Sequence, residues 1–320
     1  MSVPPPAIEA LGLGRDYGET RALDALTLRV DAGALVGLLG PNGAGKTTAM
    51  LLLATLLTPS RGTARLFGED IVRQRRSIRA RLGLVFQETS LDGMLTVSEN
   101  LAFAAGLMGL GGSSARRAVS ESIERTGLLS HASRPVRQLS GGWRRLTDIA
   151  RATLHRPDLM ILDEPTVGLD PEHREKVWSL LDAERRERGV TILFSTHYLS
   201  EAESSDRAVL LAHGRVVADA DPAALRRTLG DHVLEIEGPG ADQAVHALHG
   251  LGNVRAIIPT DRGYRIGASG SRDDIARIAG AMSEITRFVM RGVTLEDVYF
   301  ARTQEARPER PAPPLLPSAR

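Results

Sequence analysis

Residues 40–48 read Gly40, Pro41, Asn42, Gly43, Ala44, Gly45, Lys46, Thr47, Thr48, and this run constrains the fold more than any other. It fits G-x-x-x-x-G-K-[ST], a glycine-rich turn that holds nucleotide phosphates between a strand and a helix. Glycines let backbone N–H groups converge on one anion without Cβ clashes. Lys46 would neutralise the β- and γ-phosphates, and Thr47 would place its hydroxyl on Mg²⁺. A helix starting near Lys46 adds its positive dipole end. The context fits, because an apolar strand over 34–39 precedes the run and an apolar helix over 49–57 follows it.

A chain of 320 residues suggests about two domains. The formal net charge of +1 supplies no global field to recruit nucleic acid or anionic lipid. The absence of cysteine excludes disulfides and thiol chemistry. Lys46 and Lys176 are the only lysines among 40 basic residues, so Lys46 stands out from an arginine background. The most apolar run, 49–57, is far short of the roughly 20 residues a bilayer span needs. Residues 1–6 have neither the basic start nor the apolar core of a signal peptide. The expected location is therefore the cytoplasm, with any membrane role reached through a partner.

Along the chain, 1–6 and the Pro- and Arg-rich 306–320 are expected to be disordered. Apolar runs at 34–39, 82–86, 159–162, 191–195 and 208–212 read as strands of a mostly parallel sheet. The stretch 22–30 reads as antiparallel strand with alternating burial. Gly111 to Ser114 reads as a mobile lead-in to a helical insertion over 116–126. The pattern changes after Pro222. Strand 232–237, helix 241–248, strands 254–259 and 263–268, helix 272–283 and strand 286–291 give the βαββαβ order of a small ferredoxin-like domain. A last helix over 294–300 is expected to be N-capped by Thr294.

A second chemical element follows the apolar strand at 159–162. Asp163, at the strand's C-terminal end, suits Mg²⁺ directly or through water. Glu164, one residue on, is placed to polarise a water aimed at the γ-phosphate. A third element is Leu139, Ser140, Gly141, Gly142, Trp143, just ahead of a helical stretch.

With these three elements the sequence resembles the ATP-binding cassette family over residues 8 to 228. In that family the Ser140–Gly142 region is the signature sequence. Tyr17 resembles the aromatic that stacks on adenine, Gln87 the glutamine that senses Mg²⁺, Asp170 the D-loop aspartate and His197 the switch histidine. The fold implied is a P-loop α/β cassette, a mixed sheet with a helical insertion, over 7–228, followed by an accessory α+β ferredoxin-like domain over 229–305. The resemblance implies a head-to-tail pair of cassettes with two ATP molecules buried between them. The loop from Gly40 to Thr48 would face Ser140 and Gly142 of a second copy, and His197 would donate to the γ-phosphate. Thr47, Gln87 and Asp163 are the expected Mg²⁺ contacts, and Glu164 and His197 the expected catalytic pair. Trp143 departs from the family's usual glutamine and is expected to pack against the helical insertion. Leu146 and Thr147 depart as well.

Such cassettes serve several tasks. One cassette without a span fits a separate integral membrane permease. Residues 89–100 lie where the family docks it, and Met94, Leu95 and Val97 there read equally as apolar contacts for it or as simple core packing. The ending from Thr294 to Phe300 resembles drug-resistance (daunorubicin-type) exporter ATPases, which partner ABC-2 permeases. The expectation is an exporter ATPase at the cytoplasmic face of the membrane. The rival is a soluble cassette acting on ribosomes or nucleic acid, against which the low net charge argues.

Overall fold

The computed structural model describes residues 5–249, 253–270 and 284–305. Residues 1–4, the expected helix 272–283 and the tail 306–320 lie outside the described residues. The chain divides into two compact units, Met1–Asp221 and Pro222–Arg320.

The first unit holds two sheets. β1 (Ile8–Tyr17), β2 (Thr20–Val30), β4 (Arg61–Leu66) and β5 (Glu69–Asp70) form an antiparallel sheet in the order β2-β1-β4-β5. The second sheet uses β3 (Leu35–Leu39), β6 (Leu82–Val85), β7 (Leu159–Asp163), β8 (Thr191–Thr196), β9 (Arg207–Ala212) and β10 (Arg215–Ala220). Its order is β10-β9-β3-β8-β7-β6, parallel except for β10. The five strands expected from apolar runs are present, each with one end moved by a single residue. They read clearly because both faces of a parallel sheet are covered, so every position of β3, β7 and β8 is buried.

Between the two sheets runs α1 (Lys46–Leu53). Its Ala49, Met50, Leu52 and Leu53 are fully buried in one core with Leu23, Leu26 and Leu28 of β2 and Leu159 and Ile161 of β7. An apolar helix packed on both sides needs no polar face.

Four further helices position the site. They are α3 (Val97–Leu107), α4 (Gly112–Arg125), α5 (Gly141–Thr153) and α6 (Pro171–Arg188), with the short α2 (Arg75–Arg79) before them. α3 starts on a capping box, in which Thr96 accepts from the Glu99 N–H and Glu99 accepts from the Thr96 N–H at 2.8 Å. Ser140 caps α5, and Asp170 caps α6 ahead of Pro171 at the first helical position. Gly189, at φ 68°, ends α6 in the left-handed conformation. The expected lead-in at 111–114 is corrected here. Helix α4 already begins at Gly112, and the Ser114 hydroxyl donates to the Gly111 carbonyl at 2.7 Å. The serine ties down the turn that the glycines would otherwise loosen.

The second unit begins with α7 (Pro222–Arg227), which packs against the terminal helix α9 (Leu295–Glu305). The division between the two units falls at Pro222. Strands β11 (His232–Glu237), β12 (Val254–Pro259), β13 (Gly263–Ala268) and β14 (Arg287–Gly292) form an antiparallel sheet ordered β12-β13-β11-β14. This is the strand order of a ferredoxin-like fold, with α8 (Ala241–His249) in the first crossover. Leu234, Ile236, Ala241, Ala244 and Ile266 make its core. Thr294 caps α9, accepting from the Asp297 N–H, and Arg291 forks onto Asp297 at 2.6 and 2.8 Å.

Candidate functional site

The register of the parallel sheet builds the site. Leu39 lies beside Thr196, and Asp163 beside Ser195, so β3, β7 and β8 end on one edge. Gly40, Glu164 and His197 therefore leave the sheet at its carboxyl edge, where open α/β sheets bind ligands.

The loop from Gly40 to Gly45 turns on glycines that nothing else can replace. Gly40 has φ 149°, and a Cβ there would stand 2.4 Å from the Leu211 carbonyl oxygen. Gly45 has φ 102°, and a Cβ would stand 2.6 Å from the Ala22 carbonyl oxygen. Pro41 accepts from the Ala44 N–H at 3.2 Å, and Ala44 in turn accepts from the Gly214 N–H at 3.0 Å. Asn42 is exposed at the tip. Lys46 is almost fully buried and donates to the Gly40 and Pro41 carbonyls at 2.7 and 3.1 Å. Burial pushes its ammonium below the ordinary lysine value, while Glu164 and Asp163 pull it back up. Thr47 is exposed and Thr48 half-buried in the first turn of α1.

Lys46, Asp163, Glu164 and His197 meet. Glu164 Oε1 lies 3.8 Å from Lys46 Nζ and 3.1 Å from His197 Nδ1. The buried Asp163 accepts from the Ser195 hydroxyl, and the same Ser195 Oγ accepts from the Glu164 N–H at 3.0 Å. Glu164 sits at φ 49°, a left-handed conformation rarely adopted by a side-chain-bearing residue. The exposed Gln87 follows β6, and its carbonyl accepts from Arg145 of α5 at 3.2 Å.

Ser140, Gly142 and Asp170 make their contacts elsewhere, at the facing starts of α5 and α6. Asp170 accepts from the His173 N–H at 3.0 Å and from His173 Nδ1 at 2.7 Å. The His173 backbone N–H holds the Asp170 carboxyl below its ordinary value. The His173 ring lies over Gly142 and 5.1 Å from the Trp143 ring, which also stacks on His131 at 4.2 Å. Trp143 thus packs on the turn after the helical insertion and on α6. Trp143 and Leu146 both line a groove of about 780 Å³ with Lys176 and Leu180. Thr147, fully buried, is satisfied by donating to the Trp143 carbonyl at 2.8 Å. Tyr17 ends β1, half-exposed, with the Arg15 guanidinium 5.0 Å from its ring centre.

The donor set suits a nucleotide with a hard cation. Thr47 hydroxyl, Asp163 carboxylate and Gln87 amide offer oxygen ligands, and Mg²⁺ is held by one or two carboxylates together with substrate phosphates. Among the described residues no group of three His, Cys, Asp or Glu gathers to hold a metal, and such a site needs none.

Sequence reasoning missed three contributors. Ser195 links Asp163 to Glu164 through a contact between neighbouring strands. Arg145 sits in the pair Arg144–Arg145, where only its spacing from Gly142 and Ile149 marks the inward face. His173 reads as an ordinary helix-start polar residue. Of the two readings of Val97, core packing holds, since it is fully buried, whereas Met94, Phe103, Leu107 and Met108 are exposed apolar residues of that region. Among the described residues no helix is long and apolar enough to cross a membrane.

Comparison with known proteins follows the same lines. The ABC transporter family pattern matches residues 23–167. The daunorubicin/doxorubicin resistance ATP-binding protein DrrA of Streptomyces peucetius is 38% identical over 96% of this chain and 95% of its own length. The Nod factor export ATP-binding protein I of Paraburkholderia xenovorans is 42% identical over 74% of this chain and 78% of its own. Among solved structures, a dimeric ATP-binding cassette in a post-hydrolysis state with ADP and Pi aligns with TM-score 0.62 and 27% identity, covering 67% of this chain and 98% of that one. The cbiO1 subunit of a Clostridium perfringens ABC transporter aligns with TM-score 0.63 and 28% identity, covering 68% and 89%.

Proposed function

The chain belongs to the ATP-binding cassette family of ABC transporters, and from that premise we propose that it powers efflux through a separate ABC-2 permease. It binds and hydrolyses ATP as the energising subunit of an exporter of the drug-resistance class, and of its relatives one carries a drug-resistance name and one an export name. That parentage favours transport over action on ribosomes or nucleic acid.

The observation that carries the mechanism is the convergence of Lys46, Glu164 and His197 at the end of the phosphate loop. In this reading Gly40 to Thr48 wrap the phosphates, and Lys46 exchanges its loop carbonyls for phosphate oxygens. Mg²⁺, when bound, neutralises charge on the β- and γ-phosphates. Thr47, Asp163 and Gln87 would hold it. Glu164 accepts a proton from the attacking water, with His197 fixing the carboxylate on one side. Ser140 and Gly142 of a second copy close over the γ-phosphate, and the N-terminus of α5 adds its dipole. Tyr17 stacks on the adenine, and Asp170 reaches across the pair. ATP thus seals two cassettes together, and hydrolysis releases them. Exposed Met94, Phe103 and Leu107 offer the permease an apolar contact at the cytoplasmic face of the membrane.

The test uses Glu164→Gln. Loss of the base should slow hydrolysis by about 10²–10⁴-fold, while ATP with Mg²⁺ drives the variant into a stable dimer on size exclusion. Lys46→Ala should lose nucleotide altogether. Unchanged turnover in Glu164→Gln removes Glu164 from the mechanism. A variant that stays monomeric with ATP, even beside its permease, removes the dimer.

A further inference from the structure

Arg145 is the most deeply buried guanidinium beside the site, 4% exposed, in the third position after Gly142 on α5. Taking a charged group out of water costs several kcal/mol unless its donors are satisfied. Its donors go to backbone carbonyls from two separate segments. One guanidinium nitrogen donates to Phe86 at 2.6 Å, and the other donates to Gln87 at 3.2 Å and Glu164 at 3.4 Å. Asp148, on the next turn, lies 3.9 Å away and is shared with Arg151, which sits closer to it at 2.8 Å.

Glu164 needs such a partner. Its backbone at φ 49° stores strain of about 1–3 kcal/mol, and strain of this kind persists only where the surroundings over-determine it. Ser195 holds the residue's N–H, while Arg145 and the Val167 N–H hold its carbonyl. The residue that would activate water is thereby clamped on both sides of its α-carbon. The same guanidinium fixes the backbone of Gln87, whose side chain is exposed at the site's edge.

We propose that Arg145 is a positioning residue that locks the Glu164 backbone and the Gln87 loop into one fixed relation, so that base and metal-facing glutamine move together with α5. Arginine is required because its planar fork reaches three carbonyls at once, and a lysine ammonium cannot reproduce that geometry. The inference rests on the roles given above to Glu164 and Gln87.

The experiment compares full-length wild type, Arg145→Lys and Arg145→Met. It measures ATP affinity by a fluorescent nucleotide, steady-state kcat and KM, the Mg²⁺ concentration for half-maximal rate, and the melting temperature. Misplacement of a reacting group on the ångström scale costs up to about 100-fold. The expected result is a fall in kcat of about 10- to 100-fold for Arg145→Met, with ATP affinity kept and the Mg²⁺ requirement raised. Arg145→Lys should recover part of kcat but keep a raised Mg²⁺ requirement. If Arg145→Met fails to fold, Arg145→Lys decides alone. A folded Arg145→Lys with wild-type kcat and wild-type Mg²⁺ dependence overturns the proposal, as does a kcat loss that tracks melting temperature with no Mg²⁺ shift. Glu164→Gln keeps the two readings apart. Normal turnover there defeats the base assignment, whereas slow turnover there with normal Arg145→Met defeats only the clamp.

Discussion

The imidazole of His173 lies over Gly142 so closely that a Cβ on Gly142 would stand 2.2 Å from His173 Cγ. The two residues are 31 positions apart, and the contact joins the start of α5 to the start of α6. His173 is also bonded to Asp170 and stacked near Trp143. A glycine is therefore demanded at 142 by its own molecule, before any nucleotide arrives.

Gly142→Ala should displace the His173 ring and spoil the face proposed to meet a second copy. ATP-dependent dimerisation and hydrolysis should fall by about 10- to 100-fold. ATP affinity of the monomer should stay within about threefold, since the phosphate loop lies apart. Adding His173→Ala removes the clashing ring, so the double variant should regain part of the lost turnover. A double variant no faster than Gly142→Ala would show that the phosphate, not His173, excludes the methyl group.

Ser195→Ala leaves the buried Asp163 carboxylate and the Glu164 N–H each short of a partner. An orphaned buried polar group costs about 1–3 kcal/mol. Urea unfolding of the nucleotide-free protein should show that loss. Turnover should fall more than ATP affinity, because the strained Glu164 backbone loses the one restraint on its N–H. Equal losses in both would reduce Ser195 to a general packing role.

Acid should weaken the second unit through Asp297. Burial works to raise this carboxyl, but the Arg291 guanidinium and Thr294 outweigh it, so its pKa lies below the ordinary value. A depressed folded pKa means the contribution is complete above the ordinary aspartate value of 3.8 and is lost as pH falls through the folded one. Asp297→Ala should cost about 1–3 kcal/mol at neutral pH, because it removes the bonds to Arg291 and Thr294 while Arg291 keeps Glu235 at 2.9 Å. It should also flatten the acid limb of the unfolding profile, followed by circular dichroism on the full chain. An unchanged acid limb would assign the pH dependence to other carboxylates.

The site was legible where chemistry and chain order coincide. Gly40 to Thr48 and Asp163–Glu164 each combine an apolar strand with an abrupt polar turn, and the sheet register brings their ends together as expected. Hydrophobic runs fixed β3, β7 and β8 because those strands are buried on both faces. What could not be read depends on distance across the fold. Nothing local separates Arg145 from Arg144, since the difference is which one points at the Phe86 carbonyl. The left-handed backbone of Glu164 is imposed by β8 and α5, not by its own residue type. Gly112 and Ser114 look like helix breakers, and the hydrogen bonds gathered on the Gly111 carbonyl from the Ser114 hydroxyl and the Ser114 and Ala115 N–H groups make them a helix start.

Helix α1 is held by β-sheet on two sides, with Thr47, Thr48 and Leu51 on its accessible edge. A phosphate gripped at Lys46 would thus load both sheets at once through α1, so a spectroscopic label in α1 should move with the sheets rather than against them.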